Sequence, residues 1–398
     1  MILSRKAEGV APSLTLAIDS RAKKMKEEGI DVIGFGAGEP DFNTPENIRE
    51  AAIKAITEGR TKYTATSGIK ALKDAIILKF KNDNNLIYEA SQIIVSTGAK
   101  QCLANAFQAI LNPGDEVIIP NPYWVSYPEL VKLADGIPVF VETKEAENFK
   151  YNTDMLQKAV TEKSKAIIIN SPANPTGTVY TKDELIKIAD FAKINDLIII
   201  ADEIYEKLIY DKSIKHISIA TLSEDAYNRT ITINGVSKSY AMTGWRIGYA
   251  ACGNAKITNL MTNLQSHITS NPNSIAQYAS TEALLGSQDT INYMIEEFKK
   301  RRDYMVEKIN SMSYVSCVKP EGAFYVMVNI SQTLNKEIDG KTIKNSLDFS
   351  EILLDKEKVA VVPGSAFGVD DFIRLSYATS LKNIEAGLGR IENFLNQL

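Results

Sequence analysis

The chain has few of the residues that build metal sites or disulfide frameworks. Its 398 residues include three cysteines and two histidines. Cys102, Cys252 and Cys317 form no C-x-x-C pair, and His216 and His267 show no metal-ligand spacing. Widely spaced cysteines in odd number argue against a disulfide framework and suit a reducing compartment. The sequence therefore predicts neither a zinc site nor any other metal site.

Long apolar runs and a strong net charge are also missing. No stretch reaches the ~18 consecutive apolar residues that would cross a bilayer, and the N-terminus has no apolar signal core. With 45 Lys and Arg against 49 Asp and Glu, the formal net charge is −4. This balance gives no reason to expect nucleic acid or an anionic membrane as a partner. We therefore expect a cytoplasmic protein that acts on small molecules.

The chain does contain a rhythm of short β-branched runs that alternate with helical segments. Candidate strands lie at 93–95, 116–119, 136–141, 166–169, 197–201, 230–233 and 247–251. Such alternation predicts an α/β domain in which helices cover both faces of a mostly parallel, mixed sheet, giving three layers. In sheets of this kind, ligands bind beyond the carboxyl ends of the strands.

The pattern changes after residue 286, which predicts a second domain. A long charged helix is expected at 289–311, followed by a hairpin-like segment at 322–328 and strands at 359–362 and 372–377. We expect a large α/β domain at 46–286. A smaller α+β domain would be formed by both termini, 1–45 and 287–398.

Lys238 is the most informative residue, because of its neighbours. A lone lysine is usually solvated, but this one follows a predicted strand and lies near Ser237 and Arg246, while Asp202 ends another strand. An amine can form a Schiff base, an acid can pair with a pyridine nitrogen, and a serine–arginine pair can hold a phosphate. Together these residues match the needs of a phosphorylated pyridine aldehyde.

Each other candidate has an ordinary structural explanation beside the functional one. Asp202 could be a helix cap, Tyr205 and Trp124 could be core aromatics, and Arg374 could be a buried ion-pair arginine. The glycine turn before residue 99 is common in proteins and is not a Walker loop. No G-x-G-x-x-G fingerprint is present, which argues against a nicotinamide dehydrogenase.

The ordered motifs identify a family resemblance. The run Gly235-Val-Ser-Lys238 through Gly244-Trp-Arg246-Ile-Gly248 resembles the lysine signature of class I aminotransferases, which are fold-type I pyridoxal-phosphate enzymes. The family's other landmarks follow in order at Gly38–Phe42, Tyr63, Pro122–Trp124, Asn174–Gly177, Asp202–Tyr205, Glu321–Tyr325 and Arg374–Tyr377. Each motif is weak alone, but the ordered set spans essentially the whole chain. It most resembles the bacterial aspartate aminotransferase branch.

The resemblance implies roles around the cofactor ring. Lys238 would form the internal aldimine and carry the proton between the substrate Cα and the cofactor C4′. Asp202 would pair with the pyridinium, Asn174 and Tyr205 would bind the phenolic oxygen, and Trp124 would stack on the ring.

The same resemblance implies two further sets of ligands. The phosphate would be bound by Ala99, Lys100, Ser237 and Arg246, with Tyr63 from a partner subunit. The substrate α-carboxylate would be bound by Gly38, Trp124, Asn174 and Arg374. Some relatives bind the distal carboxylate with a partner-subunit arginine, which cannot be placed in this chain. Lys100 is the candidate instead, because the lysine after Gly98-Ala99 resembles the residue that the bacterial branch uses.

The function implied is ping-pong transamination of an L-amino acid, expected to be L-aspartate, with 2-oxoglutarate, in a homodimer with shared active sites. Ala11-Pro12-Ser13 stands where relatives that accept prephenate have Lys-Pro-Ser, which makes prephenate a less expected substrate. The alternatives are another donor range (aromatic, prephenate or alanine), a pyridoxal-phosphate β-lyase and, least favoured, a non-catalytic pyridoxal-phosphate-binding sensor.

Overall fold

The computed structural model describes residues 3–11 and 14–398. The strands that it contains are β1 (Ile33–Gly34), β2 (Ile93–Ser96), β3 (Glu116–Asn121), β4 (Ile137–Glu142), β5 (Ser164–Asn170), β6 (Ile198–Asp202), β7 (Thr230–Gly235), β8 (Gly248–Cys252), β9 (Ser316–Cys317), β10 (Tyr325–Asn329), β11 (Glu337–Ile338), β12 (Lys341–Thr342), β13 (Val359–Ala360), β14 (Val362–Pro363) and β15 (Phe372–Ser376).

Helices occur along the whole described chain. They are α1 (Arg5–Glu8), α2 (Leu14–Glu27), α3 (Glu46–Thr57), α4 (Lys70–Asn84), α5 (Ala99–Ile110), α6 (Ser126–Leu133), α7 (Thr153–Ala159), α8 (Lys182–Ile194), α9 (Glu224–Arg229), α10 (Ala255–Ile268), α11 (Ser274–Leu285), α12 (Asp289–Asn310), α13 (Ser346–Glu357) and α14 (Leu381–Leu395). Within residues 3–11 and 14–398, no helix is long and apolar enough to cross a membrane.

The main sheet has seven strands in the order β2-β8-β7-β6-β5-β3-β4. Strand β8 pairs antiparallel with both of its neighbours, and the remaining neighbours pair in parallel. The predicted mixed, mostly parallel sheet is therefore confirmed. Its parallel strands bring Asn121, Asn170 and Asp202 to the same edge, because each ends a strand.

Both faces of this sheet are covered, as the β-branched runs predict. Ile168 and Ile200 pack into a core cluster with α5 on one face. Ile167 and Ile199 pack with α8 on the other. Side chains alternate between the faces of a strand, so continuous isoleucine runs supply both cores at once. Helices on each side complete the predicted three layers.

A second sheet, in the order β14-β15-β10-β9, is antiparallel throughout. Two expectations for this region were wrong. The segment 322–328 is not a hairpin, because β10 pairs with β9 and β15 instead of folding back on itself. The predicted strand 359–362 is divided at Val361: β13 pairs with β1, whereas β14 joins β15.

The N-terminal segment lies against the C-terminal part of the chain. Strand β1 pairs in parallel with β13, and Arg21 of α2 lies 2.6 Å from a carboxylate oxygen of Asp355. The boundaries 46–286, 1–45 and 287–398 stay a prediction. Pro12 and Ser13, on which the prephenate argument depends, lie outside the described residues.

Candidate active site

A cavity of about 360 Å³ lies at the carboxyl edge of the main sheet. This volume is within the ~300–1,000 Å³ typical of small-molecule sites. The predicted site residues that line it are Gly38, Ala99, Lys100, Trp124, Asn174, Asp202, Tyr205, Ser237, Lys238, Arg246 and Arg374. The fold thus brings together side chains from the main sheet, the N-terminal segment and the second sheet.

Tyr63 is the one predicted site residue that does not line the cavity. Its side chain is 92% exposed, and it lies in the segment between α3 and α4. The predicted role of Tyr63 requires a second copy of the chain and stays a prediction.

Lys238 follows β7 and points into the cavity, where its Nζ donates a hydrogen bond to the Gly38 carbonyl oxygen. Burial lowers the pKa of this amine to about 8. The negative charge of Glu39 opposes this shift, whereas the cations Arg246 and Arg374 add to it. A lysine in such surroundings gives up its proton far more readily than one in water.

Asp202 ends β6 and is almost fully buried. Burial raises the pKa of its carboxyl to about 6, although hydrogen bonds from the Tyr127 hydroxyl (2.8 Å) and the Ile204 amide (3.3 Å) act in the opposite direction. Tyr127 was not among the site residues predicted from the sequence. The available signal was that Tyr127, in the first turn of α6, comes three residues after Trp124.

Arg374 of β15 is held rigidly beside the main-sheet edge. Its guanidinium donates to the Asn174 side-chain oxygen (3.0 Å) and to the Gly36 carbonyl (3.1 Å). The ring centroids of Tyr325 and Phe367 lie 4.3 and 4.8 Å from the guanidinium carbon. Such cation–π contacts and planar donors fix its orientation toward a carboxylate. No role was predicted for these two rings from the sequence.

A further chain of hydrogen bonds joins the neighbouring strand ends. Asn170 donates to the Asp202 carbonyl (2.9 Å) and accepts from the Asn174 amide (2.7 Å). Tyr205 shares a hydrogen bond of 3.0 Å with Tyr325, and burial raises the pKa of its hydroxyl well above the usual range. These contacts tie the main sheet to the second sheet at the cavity.

The start of α5 forms a cradle suited to an anion. Gly98 has φ +83°, and a Cβ there would lie 2.4 Å from Nη2 of Arg246. The first amides of a helix lack intrahelical acceptors and bind phosphate groups well. Ser237 also lines the cavity.

Lys100 lies beside Trp124, with its Nζ 5.1 Å from the ring centroid. Burial, and then the charge of Arg246, lower the pKa of the Lys100 amine.

A second group of titratable residues lies outside this cavity. Glu203, Glu206 and His216 place one potential ligand atom each within 4.8 Å of one another. Sequence spacing did not reveal this group, because His216 comes from a separate loop.

The comparison with known proteins identifies the family. The aminotransferase class I and II family matches residues 30–391. The chain belongs to this family. It is 53% identical over 395 residues to an aspartate aminotransferase of Bacillus sp. (strain YM-2), covering 99% of each chain. It is also 48% identical over 399 residues to a probable aspartate/prephenate aminotransferase of Rickettsia bellii, covering 100% of each.

The fold agrees with this assignment. A crystal structure of the aspartate aminotransferase from Rhizobium meliloti superimposes with a TM-score of 0.96 at 43% identity, covering 100% of each chain. The protein is therefore an aminotransferase, a transferase of a family that generally depends on pyridoxal phosphate.

The residues present fit that cofactor. The cavity offers an amine of lowered pKa, a buried carboxylate and an aromatic ring. At one end of the cavity, the start of α5 and Arg246 offer hydrogen-bond donors suited to a phosphate.

Proposed function

We propose that the protein transfers the amino group of L-aspartate to 2-oxoglutarate in two half-reactions at this cavity, with pyridoxal phosphate as cofactor. The observation that carries the proposal is the convergence of Lys238, Asp202 and Arg374 on one cavity. Pyridoxal phosphate would supply an aldehyde for covalent attachment of the amino group and a ring that takes up electrons from the substrate.

Lys238 is proposed as the catalytic base and acid. With a pKa of about 8, roughly a tenth of the amine is unprotonated at pH 7, far more than for an unperturbed lysine. Nζ would remove the proton from the substrate Cα and return it to a second carbon. General bases work best when their pKa lies near the working pH.

Asp202 and the residues near it would orient the cofactor. The Asp202 carboxylate would hold a proton on the ring nitrogen, while Asn174 and Tyr205 would donate to the ring oxygen and Trp124 would cover one face. The start of α5, with Ala99 and Lys100, would bind the phosphate together with Ser237 and Arg246.

Substrate selection is assigned to two cations. The fixed guanidinium of Arg374, with Asn174, Gly38 and Trp124, would bind the α-carboxylate of every substrate. Lys100 would bind the distal carboxylate of aspartate and 2-oxoglutarate, which favours dicarboxylic substrates. This pair would distinguish aspartate from alanine or an aromatic donor.

We also propose a homodimer in which Tyr63 of one subunit reaches the phosphate in its partner. Tyr63 is almost fully exposed, and large apolar side chains on α3, α10 and α11 are exposed as well, among them Ile53, Ile56, Ile268 and Leu285. Exposed apolar groups of this kind mark protein–protein contacts when they are contiguous.

Replacement of Lys238 tests the catalytic assignment. Lys238→Ala should abolish amino transfer, because no other group is assigned to move the Cα proton. Borohydride reduction should attach the cofactor covalently to the wild-type peptide that contains Lys238, and mass spectrometry would detect the adduct. The exposed Lys256→Ala is the matched control and should keep both properties.

Two results would contradict this assignment. One is full activity in Lys238→Ala. The other is release of free ammonia in place of glutamate when the wild type is given aspartate and 2-oxoglutarate, because this would indicate a lyase.

A further inference from the structure

Two carboxylates lie buried directly behind the end of β6. Glu203 and Glu206 belong to the turn that follows Asp202, and they are 3% and 7% exposed, respectively. Neither is among the side chains that line the cavity. The same turn carries Tyr205, so it supports two of the proposed cofactor residues.

Glu206 has its own cation. Lys79 of α4 forms a buried ion pair with Glu206 and donates to the Asn84 side-chain oxygen at 2.7 Å. Asn84 in turn donates to Glu206 at 2.9 Å. Burial would raise the pKa of Glu206, but Lys79, His216 and Asn84 hold it at about 2. Glu206 is therefore a charged carboxylate.

Among the described residues, no lysine or arginine forms an ion pair with Glu203, whose ion-pair partner is His216. The imidazole Nε2 lies 3.1 Å from a carboxylate oxygen of Glu203 and 4.0 Å from one of Glu206. Burial disfavours the imidazolium, but the two carboxylates outweigh burial and the repulsion of Lys79, so the pKa of His216 is raised above 6.5. With His216 protonated, two negative charges meet two positive charges.

The remaining titratable groups near this cluster leave that balance unchanged. The charge of Glu203 or Glu206 acts on three tyrosines, Tyr88, Tyr240 and Tyr249. Burial raises the pKa values of their hydroxyls far above 7, so the tyrosines stay uncharged. At the rim, Lys207 and Asp83 pair with each other at 2.9 Å.

A metal ion is not needed to balance the cluster. The three potential ligand atoms lie within 4.8 Å, but the Lys79 ammonium already occupies one side of Glu206. A buried carboxylate needs a compensating positive charge. Lys79 supplies it for Glu206, and His216 supplies it for Glu203.

The cluster acts on Asp202 through Glu203. The charge of Glu203 contributes to the raised pKa of Asp202, after burial. If His216 lost its proton, Glu203 would be uncompensated one residue from Asp202, and its repulsion would favour protonation of Asp202.

We propose that protonated His216 is a positioning residue, whose charge compensates Glu203 and so keeps Asp202 ionised and the Asp202–Tyr205 turn in place. This rests on the proposed function, because it explains what supports a proposed cofactor ligand. Since the folded-state pKa of His216 is raised, the stabilisation is complete below the unfolded value of about 6.5 and is lost as the pH rises through the folded value.

The protonation state of His216 can be measured directly. The chain has two histidines, so the holoenzyme should show two imidazole signals by NMR, and the exposed His267→Gln identifies one of them. We expect His216 to remain protonated at pH 6.5 and to titrate at higher pH. A neutral His216 at pH 6.5 would overturn the proposal, and this measurement needs no substitution at His216.

The effect on cofactor retention gives a second test. At pH 6.5, His216→Gln should release the cofactor about threefold faster than His267→Gln, because a rise of one unit in the Asp202 pKa from about 6 lowers its ionised fraction about threefold at that pH. The two rates should converge at high pH, where wild-type His216 is neutral. Glu203→Gln combined with His216→Gln should restore slow release, because the uncompensated charge is then absent.

Several outcomes would refute the role of His216. These are equal release rates in the two single variants at pH 6.5, no recovery in the double variant, or a stoichiometric divalent metal that the wild type retains and His216→Gln loses. Failure of the proposed function would be seen separately, as an absence of amino transfer in the control variant His267→Gln. The imidazole titration would still show whether His216 is protonated.

Discussion

At the scale of single residues, burial shifts the pKa values of a base and an acid toward pH 7. The pKa of Lys238 falls from 10.5 to about 8, and that of Asp202 rises from 3.8 to about 6. Titratable pairs shifted in this way are characteristic of active sites. Residue identity is visible in the sequence, but the shift depends on what surrounds each group.

The two substrate cations should differ in their effects on KM. Arg374→Ala should raise KM for every amino acid and oxo acid by about 10–100-fold, since bonds to charged groups are worth roughly 1.5–3 kcal/mol. Lys100→Ala should impair aspartate and 2-oxoglutarate more than alanine. Steady-state kinetics with aspartate and with alanine would measure both effects. Equal losses for the two donors in the Lys100 variant would remove its proposed role.

At the scale of elements, the site is assembled where strands end and α5 begins. The main-sheet strands were predicted correctly from the sequence, because their β-branched runs are local signals. No helix was predicted at 70–84, 126–133, 255–268 or 274–285, all of which are helical. The division at Val361 was also missed, because partner strands from distant segments determine it.

The glycine before α5 should be essential for phosphate binding. Gly98→Ala adds a Cβ 2.4 Å from Nη2 of Arg246 and should displace the guanidinium. The affinity for pyridoxal phosphate should then fall at least about tenfold. Gly114→Ala is the matched control, because φ there is +90° but nothing lies within 4 Å of the added Cβ. Both variants should lose roughly 1–3 kcal/mol of stability, because both glycines have positive φ values that other residues rarely adopt.

Cofactor titration would compare the two glycine variants with pyridoxal phosphate and with pyridoxal, which has no phosphate. The Gly98 variant should bind pyridoxal as the control does. Equal affinity of both variants for pyridoxal phosphate would show that the α5 cradle is not the phosphate site.

At the scale of the whole molecule, the cavity exists because distant segments pack together. Arg374 comes from the second sheet and meets Asn174 at the main-sheet edge. Glu39, from the N-terminal segment, accepts a hydrogen bond of 2.6 Å from Thr243. Tyr63, in contrast, is exposed and does not line the cavity of its own chain, which is why its predicted role requires a dimer.

Subunit mixing tests whether active sites are shared. Tyr63→Ala and Lys238→Ala homodimers should each have low activity. A hybrid dimer would contain one site with both native residues, because Lys238 from one chain would meet Tyr63 from the other. Activity after mixing and exchange should therefore exceed that of either parent. No gain, under conditions where wild-type and Lys238→Ala subunits do exchange, would contradict sharing.

The sequence by itself determined the α/β pattern, the family and nearly all side chains of the candidate site, because these depend on local periodicity and on motifs in fixed order. Only the tertiary structure revealed Tyr127 against Asp202, the rings around Arg374 and the Glu203–Glu206–His216–Lys79 cluster. Their partners are far apart in the chain. Burial and long-range packing, which no short motif encodes, decide which charges meet and at what pKa they titrate.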